Sequence, residues 1–547
     1  MGTRLGLHDR DGELSPVTEA TVAEDVAWLA EFRARLAQVP RAELSFDRAL
    51  DRDLLASRLA SDSLELNVIR PSQTDPGFYL DQIVGSVESL LDRDFASICE
   101  RTQAAARRLS AVPEVLRAAK INLKNPAPEL TEAAIDRFSG ALRFYRGQVA
   151  ALSSACHEAR RQADLAEADS LAVEALSDFL SYLRDDLRPR SHGSWALGEA
   201  VYQRRLGCEE QETAPLDTLL ARGWAALEDH RRRLEQVAER IAPGRGLRAA
   251  LDSLEHDRPQ AWNLVTFMAA GQKRVRSFLQ EQDLVSLPAV NEPSPRETPP
   301  HRSGLDLVAL DAPGVREARL SDAYYEVMPA DSGWTEPEKR DHLAFFSRPV
   351  CELLVIHETL PGRYLELLAR RRISSRLRQL LPATSAIDGW ADYCEQMMLE
   401  AGYGGPDPRY EMAELRLALG RIGRLVAGLS LHTRGMTYAE AVRLLEERCV
   451  MPRVHAELEV RRLICDPLRP VSTLGLWRIL QLRVEMQRRL GPDFRLKDFH
   501  DLLLRQAGFP LPLARAAILR RLGTQARGRS GSTTPARVDA GRPGRIK

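Results

Sequence analysis

The sequence predicts a mostly α-helical protein with one small β element. Over long stretches, apolar residues recur at three- and four-residue spacing between Glu, Arg and Gln, which is typical of amphipathic helices. The alternation that indicates strands is scarce, and the β-branched and aromatic runs lie between about residues 300 and 330. A chain of 547 residues with this pattern predicts a large multi-helix body.

Four regions follow one another along the chain. Residues 1–284 predict an N-terminal helical region, with helices over 17–39, 81–110, 130–187, 212–241 and 246–282. Residues 285–330 open with a proline-rich segment that excludes a helix, and the runs LDLVAL and AYYEVMP after it predict a small sheet. Residues 331–522 return to the helical pattern and carry the motifs described below. Residues 523–547 are rich in Gly, Ser, Thr, Pro and Arg, which predicts a disordered tail.

Charge and cysteine usage limit the classes of partner. The 77 basic residues balance 77 acidic residues, so no overall field favours nucleic acid or an anionic membrane. No apolar run is long enough to span a membrane, and the first residues lack the apolar core of a secretion signal. The seven cysteines lie far apart without a C-x-x-C pair, so we expect them to be reduced. These features predict a cytoplasmic protein without a nucleic-acid or membrane partner, and they leave the oligomeric state open.

The segment CELLVIHETLPGRYLELL (351–368) carries the first candidate residues. His357-Glu358 resembles the opening of H-E-x-x-H, in which two histidines one helical turn apart bind zinc and the glutamate acts as a base. Pro361 stands where the second histidine would be. Taken alone, a His-Glu pair is most often found on a helix surface.

A second segment, SAIDGWADYCEQMMLEAGY (385–403), carries carboxylates on one helical stripe. Asp388, Asp392 and Glu395 are spaced at i, i+4 and i+7, which places them on the same face. Zincins of the gluzincin type take a third zinc ligand from a carboxylate on a later helix. The alternative is that the stripe is a solvated acidic face.

Together the two segments resemble a known family. HETLPGRYLE is similar to H-E-x-x-P-G-H-H-x-Q, and DGWADYCEQM is similar to E-G-W-A-x-Y-x-E-x-x. These are the two hallmark motifs of the bacterial family called domain of unknown function 885, which is regarded as related to zinc metallopeptidases. The similarity in order and spacing extends over roughly residues 50–520. It implies a zincin-like helical fold with a metal site near His357 and Asp388.

This chain departs from the family pattern at the implied metal site. Arg363 and Tyr364 replace the paired histidines, Asp388 replaces the glutamate of E-G-W-A, Gly428 replaces an aspartate before His432, and Arg469 replaces a glutamine.

Arg363 is the most consequential of these changes. The chain keeps the Pro361-Gly362 pair, so we expect it to keep the bend that folds the later residues back toward His357. An arginine is protonated at any physiological pH and cannot bind a metal. We therefore expect Arg363 to occupy the position of the cation and to contact Glu358 or Asp388. Zinc stays the candidate cofactor, although three suitable ligands are not visible.

The sequence thus favours a hydrolase-type enzyme with an altered or lost metal centre that acts on a small amide, ester or peptide-like substrate. Its candidate catalytic residues are Glu358, Arg363, Tyr364 and His432, and its candidate metal ligands are His357 and Asp388. Tyr393 is expected to line the same cavity. Two alternatives stay open, namely a non-catalytic protein that binds a peptide or a partner protein, and a weak zinc metallohydrolase.

Overall fold

A computed structural model of the chain describes residues 2–91, 93–149, 154–300, 302, 306–320 and 322–530. The mostly helical fold is confirmed. In the first half, the described helices of eight residues or more are Glu19–Ala37, Phe46–Leu64, Gly77–Leu91, Ile98–Asn122, Pro128–Phe144, Ala159–Tyr182, Glu199–Glu210, Leu216–Ile241, Gly246–Glu255 and Leu264–Gln282. Two of them, Phe46–Leu64 and Glu199–Glu210, lie outside the helical stretches that the sequence predicts.

The second half carries the motif segments. Its described helices of eight residues or more are Glu336–Phe345, Arg348–Glu358, Arg363–Arg371, Thr384–Glu400, Pro408–Thr433, Arg453–Cys465, Ser472–Leu490, Leu496–Leu504 and Leu511–Ser530. Three of them form most of the candidate site. We call Arg348–Glu358 the His-Glu helix, Thr384–Glu400 the carboxylate helix and Pro408–Thr433 the arginine helix.

The small sheet has three strands, β1 (Ser294–Glu297), β2 (Val308–Asp311) and β3 (Tyr324–Val327). β3 lies in the middle, parallel to β1 and antiparallel to β2. The predicted β element around residues 300–330 is confirmed, and its first strand begins slightly earlier, inside the proline-rich segment. A proline is tolerated in β1 because an edge strand leaves one side of its backbone without ladder bonds.

The C-terminal helix is longer than the sequence predicts. It extends from Leu511 to Ser530, past residue 522, where the sequence predicts the tail to begin. The rest of the predicted tail, residues 531–547, lies outside the described residues.

The cysteines also differ from expectation. Cys99 and Cys156 form a disulfide, so the prediction that all seven cysteines are reduced is wrong for this pair. Their sequence spacing gave no signal, because the two segments must pack together before the sulfur atoms meet. Within the described residues, no helix combines the length and the apolar character needed to cross a membrane.

The largest hydrophobic core draws on both halves of the chain. It includes residues before the sheet, such as Leu227 and Leu279, and residues after it, such as Val355, Met397 and Leu463. A second core lies within the first half, between residues 79 and 187. The helices just before the sheet therefore complete the core that surrounds the His-Glu helix. The division into four regions stays a prediction about sequence boundaries.

The carboxylate helix packs closely on the helix Ser472–Leu490 through two glycines. Gly389 lies against the backbone of Gly475, and a Cβ atom on Gly475 would collide with the carbonyl oxygen of Ser385. The absence of both side chains lets the two helices approach at this point. This contact fixes the position of the carboxylate stripe.

Replacement of Gly475 by alanine should destabilise the fold by about 1–3 kcal/mol, because the added methyl group forces the two helices apart. Gly207→Ala is the matched control, since its Cβ would meet only the carbonyl oxygen of Glu212 at 3.8 Å. That change should stabilise the protein slightly, by up to about 1 kcal/mol, through helix propensity. Denaturant unfolding of both variants measures the difference. Equal stability of the two variants would contradict the close helix contact.

Candidate active site

The His-Glu helix ends in a sharp bend formed by Pro361 and Gly362. The helix stops at Glu358, and the next helix begins at Arg363. A Cβ atom on Gly362 would collide with the carbonyl oxygens of His357 and Ile356, so this position requires glycine. The predicted bend is confirmed. It returns the chain toward His357 and places Arg363 beside it.

The D-G-W segment of the carboxylate helix holds this bend in place. The indole Nε1 of Trp390 donates a hydrogen bond to the carbonyl oxygen of Pro361 at 2.9 Å. Trp390 is buried, and Gly389 provides the close helix contact described above. Asp388, the first residue of the segment, contacts Arg363. Asp388, Gly389 and Trp390 therefore each make a different contact of the carboxylate helix.

The Arg363 guanidinium lies between two carboxylates. Its Nη2 donates to Oδ1 of Asp388 at 2.7 Å, and its Nη1 is 3.6 Å from Oε2 of Glu358. The contact predicted from the sequence is confirmed. Burial alone would lower the pKa of Arg363, but the two carboxylates outweigh it and raise this pKa. Arg363 is therefore a permanent cation at the bend, and its Nε has no hydrogen-bond partner among the described residues.

His357 is fixed by the carboxylate helix. Its Nδ1 is 2.7 Å from Oε1 of Glu395 and 3.5 Å from Oδ1 of Asp392, while its Nε2 is 3.9 Å from Oε1 of Glu358. Burial lowers the pKa of His357 to about 3, although the Asp392 carboxylate acts in the opposite direction. The ring is thus neutral at pH 7. With Nδ1–H donating to Glu395, the lone pair of Nε2 is available on the side of Glu358.

The acidic stripe is buried, so the solvated-face alternative is wrong for two of its three residues. Asp392 and Glu395 are each 1% exposed. Burial raises the pKa of both carboxyl groups, and the nearby Arg421 guanidinium acts against this rise. Within the part of the chain that the structure describes, neither oxygen of Asp392 has a hydrogen-bond partner.

Arg421 is a site residue that the sequence reasoning missed. Its Nη1 donates to Oε2 of Glu395 at 2.6 Å, and its Nε is 3.5 Å from Oδ1 of Asp392. It lies on the arginine helix and is 4% exposed. The signal in the sequence was an arginine within an otherwise largely apolar helical stretch, LALGRIGRLVAGL. A charge there must either reach solvent or meet a buried acid.

One space, which we call the central cavity, joins these groups and measures about 140 Å³. Its charged or titratable lining residues include Asp306, His357, Glu358, Arg363, Asp388, Asp392, Glu395, Arg416, Arg421, Arg424, His455, Glu459, Arg462 and Arg469. The predicted convergence of His357, Glu358 and Asp388 in one cavity is confirmed. Burial raises the pKa of Glu358 to about 7, although the Arg363 guanidinium acts in the opposite direction.

Three other candidates lie apart from the central cavity, which corrects the prediction that they share it. Successive helical residues point about 100° apart, so Tyr364 points in a different direction from its neighbour Arg363. The Tyr364 hydroxyl donates to the carbonyl oxygen of Asn291. Nε2 of His432 is bonded to the carbonyl oxygen of Leu463 at 2.8 Å. The Tyr393 hydroxyl is bonded to Nε2 of His500 at 2.8 Å. All three groups hold packed elements together.

The set of zinc ligands that the family motifs imply is incomplete in this chain and does not fit a zinc ion. Arg363 occupies the bend, and the Tyr364 hydroxyl is bonded elsewhere, so only His357 and Asp388 are left of that ligand set.

A different group of donors lies next to this position. His357, Asp392 and Glu395 have ligand atoms that all lie within 4.8 Å of one another. However, Arg421 already contributes a positive charge to the two carboxylates. Zinc would also have to displace the proton that Nδ1 of His357 shares with Glu395.

Removal of the Arg363 guanidinium should destabilise the protein. Arg363→Ala leaves Asp388 and Glu358 without their cation, and an unsatisfied buried group costs about 1–3 kcal/mol. The control is Arg453→Ala, which breaks the exposed pair with Glu457 and should change stability by less than about 0.5 kcal/mol. Urea unfolding at neutral pH compares the two variants. A stability loss no larger for Arg363→Ala than for the control would contradict the role of Arg363 as the local cation.

A family model described as "Bacterial protein of unknown function (DUF885)" matches residues 1–518. No match is found among curated proteins. A solved structure from Shewanella oneidensis, described as a proposed lipoprotein of unknown function, is 23% identical with a TM-score of 0.78, over 95% of this chain and 96% of that chain.

A second solved structure, a proposed lipoprotein from Colwellia psychrerythraea, is 14% identical with a TM-score of 0.79, over 96% of each chain. At these identities the two structures show a shared fold alone. The family model, by contrast, covers nearly the whole chain. This protein therefore belongs to the DUF885 family of bacterial proteins of unknown function.

Proposed function

We propose that this protein is a hydrolase that acts on a small amide, ester or peptide-like molecule. In it, the Arg363 guanidinium takes the place that a metal ion would have in a zinc-metallopeptidase relative. The observation that carries the proposal is the position of Arg363 between Asp388 and Glu358, beside His357 and on the wall of the central cavity. A fixed cation next to a carboxylate is an arrangement suited to acyl transfer to water.

The reaction follows from these groups. The Glu358 carboxylate takes a proton from a water molecule as the water oxygen bonds to the substrate carbonyl carbon. The electron pair of the carbonyl bond moves to the carbonyl oxygen, which becomes an oxyanion. The Nε–H of Arg363 makes no hydrogen bond to any described residue, and it donates to this oxyanion. Glu358 then gives the proton to the leaving nitrogen or oxygen as its bond to carbon breaks. Asp388 keeps the guanidinium in place throughout.

A weak zinc metallohydrolase is the second candidate function. It is favoured by the His357, Asp392 and Glu395 group and by the two Asp392 oxygens, which lack a hydrogen-bond partner in the described chain. A zinc ion bound there would supply a Lewis acid and lower the pKa of a water molecule. A non-catalytic protein that binds a peptide or a partner protein is the remaining alternative.

Hydrolysis of p-nitrophenyl acetate and of aminoacyl p-nitroanilides by protein purified without added metal tests the proposal. We expect activity that EDTA does not remove, in protein that holds well under one zinc per chain by elemental analysis. Glu358→Gln and Arg363→Gln should each lower kcat/KM by about 10²–10³. The exposed residues Glu447 and Arg443 supply the matched controls, Glu447→Gln and Arg443→Gln.

The other outcomes of that experiment are distinct. Stoichiometric zinc together with activity that EDTA removes would contradict the guanidinium-centred reaction and favour the zinc metallohydrolase. Absence of hydrolysis of every probe, with the two site variants indistinguishable from the two controls, would favour a non-catalytic binding protein.

Zinc binding should be restored by two substitutions together. Arg363→His returns an imidazole after the bend, and Asp388→Glu returns the longer carboxylate arm of the family motif. The double variant should bind zinc in a titration with a chromogenic chelator, whereas Asp388→Glu alone should not, because Arg363 would still occupy the position. Failure of the double variant to bind more zinc than the single variant would contradict the replacement of the metal by Arg363.

The cytoplasmic location stays a prediction. The Cys99–Cys156 disulfide weighs against it, because disulfides persist mainly in oxidising compartments. Cell fractionation, with thiol alkylation before lysis, decides between the two locations.

A further inference from the structure

One wall of the central cavity has more positive than negative charge. Its guanidinium groups come from Arg416, Arg424, Arg462 and Arg469, and its carboxylates come from Asp306 and Glu459. Glu459 is shared, since it lies 2.6 Å from Arg469, 3.4 Å from Arg462 and 3.9 Å from Arg424. Among the described lining residues, this wall therefore has four cations for two anions, whereas the rest of the lining has two cations, Arg363 and Arg421, for four anions, Glu358, Asp388, Asp392 and Glu395.

Among the described residues, two of these guanidinium groups, Arg416 and Arg424, make no hydrogen bond to a carboxylate, and Arg424 has only the 3.9 Å ion pair with Glu459. Arg416 donates through Nε to the carbonyl oxygen of Val450 at 3.3 Å, and its guanidinium lies 5.0 Å from the centre of the Phe345 ring. The Nε of Arg424 is buried, and no described group accepts a hydrogen bond from it. Arg416 and Arg424 are eight residues apart on the arginine helix, about 12 Å along its axis, and both line the cavity, as does Gly420 between them. A small anion between them would balance the excess positive charge of this wall.

His455 adds a hydrogen-bond acceptor to the same wall. His342 Nε2 is 3.0 Å from the carbonyl oxygen of Met328, which can only accept, so Nε2 of His342 carries a proton. Because burial lowers the pKa of His342 to about 4, the ring is neutral and its Nδ1 accepts from Nε2 of His455 at 2.9 Å. Nδ1 of His455 is then an unprotonated acceptor. It is buried, and no hydrogen-bond donor reaches it from the described part of the chain.

We infer that this wall is a subsite for an anionic group that has an N–H or O–H donor next to it, with Arg416 and Arg424 holding the anion and His455 accepting from the donor. A carboxylate beside an amide N–H meets this description, which makes the substrate class an N-acylated amino acid or the carboxyl end of a short peptide. Phe345 and Met451 line the cavity beside these groups and suit an apolar substituent. This assignment of substrate rests on the proposed hydrolase function.

Binding of small probes to the full-length Glu358→Gln protein tests the subsite, because this variant should not consume them. Isothermal titration should show N-acetylglycine binding at least about tenfold more tightly than N-acetylglycinamide, which has no charge, and than acetate, which has no donor. Arg416→Gln and Arg424→Gln should each weaken N-acetylglycine binding about tenfold, whereas Arg443→Gln should leave it unchanged. If the glutamine variants do not fold, N-acetylglycine binding is measured with Arg424→Lys, which keeps the charge.

Equal binding of N-acetylglycine and N-acetylglycinamide would overturn the anion subsite, and equal binding of acetate would overturn the donor contact with His455. Tighter binding of methyl phosphate than of N-acetylglycine would overturn the carboxylate assignment. All these results concern binding. They therefore hold whether or not the unmodified protein hydrolyses any substrate, and failure of the subsite is distinct from failure of the proposed reaction.

Discussion

Buried carboxylates require positive partners, and this requirement shapes the centre of the molecule. Glu358, Asp392 and Glu395 are each at most 2% exposed. Removing such charges from water costs several kcal/mol per ion, and the attraction to a nearby cation offsets this cost. Arg363 and Arg421 supply the cations, and they come from two different helices. The ion pairs therefore fix how the helices around the His-Glu helix are rotated relative to one another.

The backbone around these charges lets neighbouring helices approach one another closely. Gly362 lets the chain fold back on the His-Glu helix, and Trp390 ties the resulting bend to the carboxylate helix. Gly389 and Gly475 let that helix lie against its neighbour. None of these residues takes part in the proposed chemistry. They hold the groups of the proposed reaction on rigid elements, where a site keeps its geometry most reliably.

The sequence was most informative where the signal is local. Apolar spacing predicted most helices, and the Pro-Gly pair predicted the bend. The Arg363 contact was also predictable, because a family motif with a missing ligand leaves a charge to be compensated. Tyr364 and His432 were misplaced because a motif position does not determine which way a side chain points around its helix. Arg421 and the Cys99–Cys156 disulfide depend on elements that meet only in the folded chain.

The shared core has a consequence for synthesis of the chain. Leu227 and Leu279 leave the ribosome long before Leu463 and Ile518, with which they form one core. At the usual rate of about 5–20 residues per second, the earlier helices wait roughly 10–60 s for their partners. Their apolar faces stay exposed during that time, so protection of the nascent chain matters more for this protein than for one whose two halves bury separate cores.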